Sequence, residues 1–146
     1  MSKFIGIKIL ESATLMTRAE YCAIRGWEVP SDENAEEQVY LVEYEVTENN
    51  PPNVMGYKGY VSASPKDVFE KAYSPYGTFT DRMLFETREL ATKANGLGDF
   101  MRTQNFVDLD REDKDLLYSQ SRVMNEYLQI LGKRLELLGG KFKFNS

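Results

Sequence analysis

The residues that could do chemistry in this 146-residue chain are arginines and aromatic residues, because the usual catalytic groups are scarce. The sequence has no histidine and one cysteine, Cys22, so the commonest general base and the commonest transition-metal ligand are absent. It contains no Gly-rich phosphate loop, no C-x-x-C pair and no nucleophile elbow. We therefore expect a protein that is not an enzyme, with no catalytic residues, no metal site and no cofactor.

Arg134 is the most informative of these residues. It lies on an apolar stripe of a predicted helix, with Tyr127, Ile130 and Leu137, where the pattern favours a leucine. An arginine at such a position must extend its end to water, pair with an acid or bind an anionic ligand. Two interpretations stay open: an ion pair with Glu136 or with an acid of a neighbouring chain, and a contact with a phosphate group.

Three other residues are weaker candidates for a binding site. Phe106 lies in a polar turn between two long predicted helices, where its ring either fixes the turn against the second helix or stacks on a base. Arg82, early in the first long helix, and Arg25, beside Trp27, are on their own ordinary surface arginines.

A long antiparallel pair of helices must position most of these residues. The first is predicted to begin near Thr80, and its apolar residues recur at a spacing of three and four with Thr87 as the polar exception. Gly96 and Gly98 weaken its last turns, so the helix either ends near Asn95 or lets a backbone or ligand approach closely there. The second helix is predicted to begin after Asp110 and to run for about 27 residues, or roughly 40 Å.

The second long helix carries two apolar stripes, which is more than one partner helix covers. One stripe is predicted to pack on the first helix, and the other needs a further partner, either the small sheet or the same surface of a second copy. The first stripe is Leu117, Met124, Leu128, Leu131, Leu135 and Leu138, and the second is Leu116, Val123, Tyr127, Ile130 and Leu137.

The first half of the chain predicts a small antiparallel sheet with short helices. Strands are predicted over Phe4–Leu10, Val39–Val46 and Tyr57–Ser64, the last two forming a hairpin. Short helices are predicted over Arg18–Arg25, opened by a T-x-x-E capping box, and after Ser64, with Pro65 as the first helical residue. The fold class is therefore α+β, with a small α+β module over residues 1–76 and a helical hairpin domain for oligomerisation and ligand binding over residues 77–146.

Composition limits the partners of the protein. The net charge of −5 argues against binding to a nucleic acid polymer, which requires a basic face. No apolar run is long enough to span a membrane, and the first residues lack the apolar region of a signal peptide. A single cysteine is compatible with a reducing cytoplasm.

The sequence resembles a family of phage counter-defence proteins. The segments YLVEYE and GYVSASPKDVFEKAYSP resemble a module that recurs in bacteriophage proteins, and LFETRELATKANGLGDFM and LYSQSRVMNEYLQILGKRLELL resemble the helical hairpin of these proteins. Together the two halves are similar to the Thoeris anti-defence sponge family, whose hairpin is shared with the anti-CBASS sponge. The long turn ENNPPNVMG, and Ser62 or Ala63 in place of an aromatic residue, depart from the family pattern.

The resemblance implies a phage-encoded protein of the host cytoplasm that sequesters cyclic nucleotide immune signals without cleaving them. Its implied ligands are the cyclic ADP-ribose isomers of Thoeris and, in related sponges, the cyclic di- or trinucleotides of CBASS. The family forms homo-oligomers, from dimers to hexamers, with pockets between subunits. By position, its stacking phenylalanine and phosphate-binding arginine correspond to Phe106 and Arg134, with Arg82 and Arg25 as weaker matches and Phe100 as an alternative ring.

A second hypothesis keeps the protein outside nucleotide binding. The acidic loop of residues 32–37 and the second apolar stripe would then dock on a host or virion protein, and the chain would be a protein-interaction module.

Overall fold

The structure is a computed structural model that describes residues 1–139 and has the predicted α+β fold. The chain divides into two compact units, the first of residues 1–73 and the second beginning at Ser74. Each unit is described by itself. None of the helices within the described residues is long and apolar enough to cross a membrane.

The first unit is built on a three-stranded antiparallel sheet in the order β1-β2-β3. Its strands are β1 (Leu10–Thr17), β2 (Gln38–Tyr44) and β3 (Val61–Pro65). The predicted antiparallel pairing of the second and third strands is confirmed, but the third strand begins at Val61 and not at Tyr57, because the N–H groups of Lys58 and Gly59 donate to the Glu43 side chain instead of to a strand.

The predicted first strand, Phe4–Leu10, is wrong, because β1 begins where that segment ends. The pairing of β1 with β2 stops at Leu10 opposite Tyr44. β2 ends at Tyr44, so no residue of β2 lies beside the residues that precede Leu10. The isoleucine content of residues 4–10 therefore did not predict which residues pair with β2.

Two short helices flank the sheet. Helix α1 (Arg18–Arg25) has the predicted capping box between Thr17 and Glu20, and it ends at Gly26, whose φ of 73° lies in the left-handed region. Helix α2 is Lys66–Ala72. Pro65 was predicted to be the first residue of this helix. It is instead the last residue of β3 and the N-cap of α2, because its ψ of 144° is extended.

The core of the first unit is apolar, with one buried carboxylate at its margin. Tyr21, Val39, Leu41 and Val61 form the buried cluster, and Met16, Val54, Tyr57 and Ala63 pack around it. Glu43 is also buried and faces the chain that leads into β3.

Hydrogen bonds satisfy the buried carboxylate of Glu43. It accepts from the hydroxyl of Ser12 at 2.9 Å and from the backbone N–H groups of Lys58 at 2.6 Å and Gly59 at 3.1 Å. Burial acts to raise the pKa of Glu43, but these hydrogen bonds and the positive charge of Lys58 outweigh it and hold the pKa below its ordinary value. Residue 59 must be glycine here, because a Cβ would lie 2.0 Å from the carbonyl oxygen of Tyr44.

The second unit is the predicted helical hairpin. Helix α3 (Phe79–Phe100) is capped by Thr78 and Asp81, the turn contains a short helix α4 (Gln104–Val107), and α5 is Arg111–Leu137. The start of α5 after Asp110 is confirmed. The possible end of the first helix near Asn95 is not observed, because α3 continues through both glycines to Phe100. The sequence pair Gly139-Gly140 is typical of a helix end, and α5 ends just before it, but Gly140 itself lies outside the described residues.

The seam between α3 and α5 is apolar and satisfies its one polar residue. Met83, Leu131 and Leu135 form its most buried cluster, with Leu84 and Leu90 beside them. Thr87 is fully buried, and its hydroxyl donates a 2.7 Å hydrogen bond to the carbonyl oxygen of Met83, one helical turn earlier. The seam therefore holds the hairpin closed without an unpaired polar atom.

Candidate functional site

The candidate site lies on one flank of the hairpin, where the start of α3 meets the end of α5. The guanidinium carbon of Arg134 lies 6.0 Å from the ring centroid of Phe79, and the phenol of Tyr127 donates a short hydrogen bond to Glu86. Two contacts, about two helical turns apart, thus connect the same sides of the two helices. We call Phe79, Arg82, Glu86, Tyr127 and Arg134 the arginine flank.

Helical spacing brings Arg82 onto this flank. It follows Phe79 by three residues and precedes Glu86 by four, so all three side chains lie on one side of α3. Its Nη1 donates to the carbonyl oxygen of Gly77 at 3.2 Å, just before the helix begins. Two of the predicted site residues, Arg82 and Arg134, therefore lie at the same end of the hairpin.

Arg134 is exposed and keeps its charge available. Among residues 1–139 it forms no salt bridge, and the predicted alternative partner, Glu136, pairs with Lys133 at 3.6 Å instead. Arg122, about three turns earlier in the same helix, does form a salt bridge, with Glu126 at 3.5 Å. Of the two interpretations of Arg134, the pair with Glu136 is therefore not formed in the chain.

Tyr127 contributes a phenol to the flank, and its hydroxyl is oriented by the hydrogen bond to Glu86. Its hydrogen bond to Glu86 raises the pKa of the phenol, with smaller effects from partial desolvation and the carboxylate's charge, while the charge of Arg134 acts in the opposite direction. The phenol is therefore protonated at neutral pH, and its proton is directed to Glu86 in the unliganded chain.

Phe79, like Glu86, is a flank residue that the sequence analysis missed. It is the first residue of α3, and 55% of its side chain is exposed. Its position three residues before Arg82 was a usable signal, because an antiparallel hairpin necessarily brings the start of one helix beside the end of the other.

Phe106 lies far from this flank. Its side chain is buried in the turn, 4% exposed, and its ring makes edge-to-face contacts with Phe100 at 6.1 Å and Tyr118 at 5.3 Å. The length of α3 separates the turn from Phe79 by roughly 30 Å. One small ligand therefore cannot touch Phe106 and Arg134 of the same chain.

Arg25 belongs to the first unit, where its guanidinium is engaged. It lies 4.2 Å from the ring centroid of Trp27 and donates to the hydroxyl of Tyr21 at 3.0 Å and to the carbonyl oxygen of Val61 at 3.4 Å. These contacts attach the end of α1 to the sheet and account for Arg25 as a structural residue.

The second apolar stripe of α5 adjoins the arginine flank. Tyr127, Ile130, Arg134 and Leu137 follow one another at a spacing of three or four, so they share one side of the helix. All five members of the stripe, Leu116, Val123, Tyr127, Ile130 and Leu137, are between 41% and 79% exposed. Within the second unit α3 does not cover this stripe.

Residues 1–139 contain no group of three or more His, Cys, Asp or Glu side chains placed to hold a metal ion.

Comparison with known proteins identifies the hairpin. Residues 77–137 match the family model described as Sequestin, a segment that begins just before α3 and ends with α5. The hairpin is therefore similar to the Sequestin family, and this match agrees with the predicted resemblance to sequestering anti-defence proteins. No curated protein and no solved structure matches the chain.

Proposed function

Starting from this Sequestin-type hairpin, we propose that the protein binds and holds a cyclic nucleotide signal of bacterial defence without cleaving it. The proposed ligands are the cyclic ADP-ribose isomers of Thoeris and the cyclic oligonucleotides of CBASS, and the proposed setting is the cytoplasm of a phage-infected host. The observation that carries the proposal is the arginine flank, where two arginines and an exposed aromatic ring converge.

The chemistry of the flank fits a ligand with phosphates and a planar base. A guanidinium forms paired hydrogen bonds with phosphate oxygens, and an exposed ring offers a face on which a base can stack. Arg82 and Arg134 would supply the charge, and Phe79 the stacking face.

The distance between Phe79 and Arg134 suggests how a base would enter. Stacked atoms lie about 3.5–4 Å apart, so a base between the ring and the guanidinium needs about 7–8 Å. The present separation is 6.0 Å. The long side chain of Arg134 can supply the remaining opening by rotating, with no change in the helix backbone.

Self-association would complete the site. The exposed stripe of α5 adjoins Arg134, so a second copy packed on that stripe would wall the flank on one side and exclude water from it. The turn that contains Phe106 would then contribute to this site only if it came from another subunit.

Calorimetry with a cyclic ADP-ribose isomer tests the proposal directly. We expect tight binding, and intact ligand should be recovered when the complex is denatured by heat. Linear ADP-ribose is the control, because it has the same phosphates without the closed ring. Absence of binding, or recovery of a hydrolysed product, would contradict the proposed function.

The second candidate function, a protein-interaction module, is favoured by the same exposed stripe and by the acidic loop of residues 32–37. A pull-down from infected cells that returned one stoichiometric protein and no nucleotide would support it over the sponge.

A further inference from the structure

The segment before β1 is unusually apolar for a surface. We call residues 4–9 the arm. Phe4, Ile5 and Ile7 are 94%, 99% and 99% exposed, and Ile9 is 47% exposed. A contiguous exposed run with this composition has the properties of an unpaired strand, since β-branched and aromatic residues favour strands and a free strand invites pairing.

The sheet of the first unit offers a matching free edge. β1 is the outer strand of the sheet and pairs with β2 on one side. Residues 11–15 of this strand are exposed, and no other strand within residues 1–139 pairs with its second edge. The arm continues directly from this strand but extends past the end of β2, and therefore it cannot extend the ladder within its own chain.

One contact fixes which face the arm's isoleucines take when the arm is extended. The ammonium of Lys8 lies 4.0 Å from the ring centroid of Tyr44, and the hydroxyl of Tyr44 accepts from Ser62. Since side chains alternate along a strand, Ile7 and Ile9 lie on the opposite face. That face is the one of Val39 and Leu41, which form the core of this unit.

We propose that the arm of one copy adds as a strand to the free edge of β1 in a second copy. Because the arm and β1 are consecutive, placing two β1 strands antiparallel about a twofold axis lays each arm along the other chain's strand. The proposed register, which keeps matching faces together, sets Ile5 opposite Met16, Ile7 opposite Thr14 and Ile9 opposite Ser12. The two sheets become one, with Ile5, Ile7 and Ile9 of each copy near its centre. This inference does not depend on the proposed function.

Disulfide trapping tests the pairing and its register. The variant carries Ile7→Cys and Thr14→Cys in a Cys22→Ser background. Within one chain these positions lie roughly 20 Å apart along an extended strand, so only a bond between chains is possible. We expect a covalent dimer of twice the 16.8 kDa chain mass after mild oxidation.

The matched control carries Ile7→Cys with Ala13→Cys, which the proposed register places on opposite faces. Trp27 fluorescence establishes that both variants are folded. Cross-linking of the first pair at least tenfold faster than the control supports the proposal. Equal rates, faster cross-linking of the control, or no cross-link in folded protein would overturn it.

Hydrogen exchange of the unmodified protein gives an independent readout. Amides of residues 4–9 should be protected at high protein concentration and lose protection on dilution. Protection that does not change with dilution would place the arm on its own chain and overturn the proposal, as would no protection at any concentration.

Discussion

The guanidinium of Arg134, in the last turn of α5, lies 6.0 Å from the ring of Phe79, the first residue of α3. The two residues are 55 positions apart in the sequence and meet only because the hairpin is antiparallel. This pair is the most direct target for testing the proposed function.

Arg134→Ala should weaken binding of a cyclic ADP-ribose isomer about 10- to 100-fold. A hydrogen bond to a charged group contributes about 1.5–3 kcal/mol, and about 1.4 kcal/mol corresponds to a tenfold change. Calorimetry measures the effect. Arg122→Ala is the matched control, because it removes an exposed arginine of the same helix that is already paired with Glu126. Equal losses in the two variants would refute the special role of Arg134.

Phe79→Ala and Phe106→Ala should have opposite effects on ligand affinity and on stability. Removing the exposed ring of Phe79 should lower affinity, by about 1–3 kcal/mol if a base stacks on it, with little change in thermal stability. Removing the buried ring of Phe106 should destabilise the hairpin by about 3–5 kcal/mol. Calorimetry and thermal unfolding of both variants separate the two effects. A loss of affinity confined to stable Phe106→Ala protein would return the stacking role to the turn.

The outcome for Phe106 shows what sequence could and could not predict in this chain. The seam of the hairpin, the capping box at Thr17 and the antiparallel pairing of β2 with β3 followed from local pattern, because periodicity and caps are local properties. The position of Phe79 beside Arg134 required the pairing of distant turns. The contact of Phe106 with the second helix was one of the two interpretations of the sequence, but choosing between them required knowing that Phe100 and Tyr118 converge on the turn.

The start of β1 could not be predicted for a different reason. The arm has stronger strand propensity than the sequence ESATLMT, yet the latter forms the ladder because β2 lies beside it. Propensity describes how well a segment fits a sheet, whereas the register depends on where the partner strand ends.

Ile130→Asp should lower the order of self-association. Ile130 is 57% exposed at the middle of the apolar stripe, and a carboxylate there would have to be buried without a partner in any interface built on the stripe. Light scattering of the variant should give a smaller mass than the unmodified protein. Gln129→Asp controls for the cost of aspartate within a helix. A mass unaffected by Ile130→Asp would remove the stripe from the assembly.

Stability of the first unit should fall in acid through Glu43. The folded pKa of this carboxyl is lowered, so its contribution to stability is complete above the unfolded pKa, near 4.5, and is lost as the pH falls through the folded value. Urea unfolding followed by Trp27 fluorescence should therefore show a steeper loss of stability below pH 4.5 in the unmodified protein than in Glu43→Gln.

The control for this pH effect is Glu45→Gln, an exposed carboxylate two residues further along the chain. It should leave the pH profile unchanged. If Glu43→Gln and the unmodified protein lost stability in parallel, Glu43 would not be the titrating group.

The division of the chain after Tyr73 has a consequence for how such a protein changes over time. Each unit has its own apolar core, so the core neighbours of a substituted core residue belong to the same unit. The Sequestin match begins at residue 77 and includes none of the sheet. A substitution in the seam of α3 and α5 therefore first disturbs packing inside the segment that resembles this family.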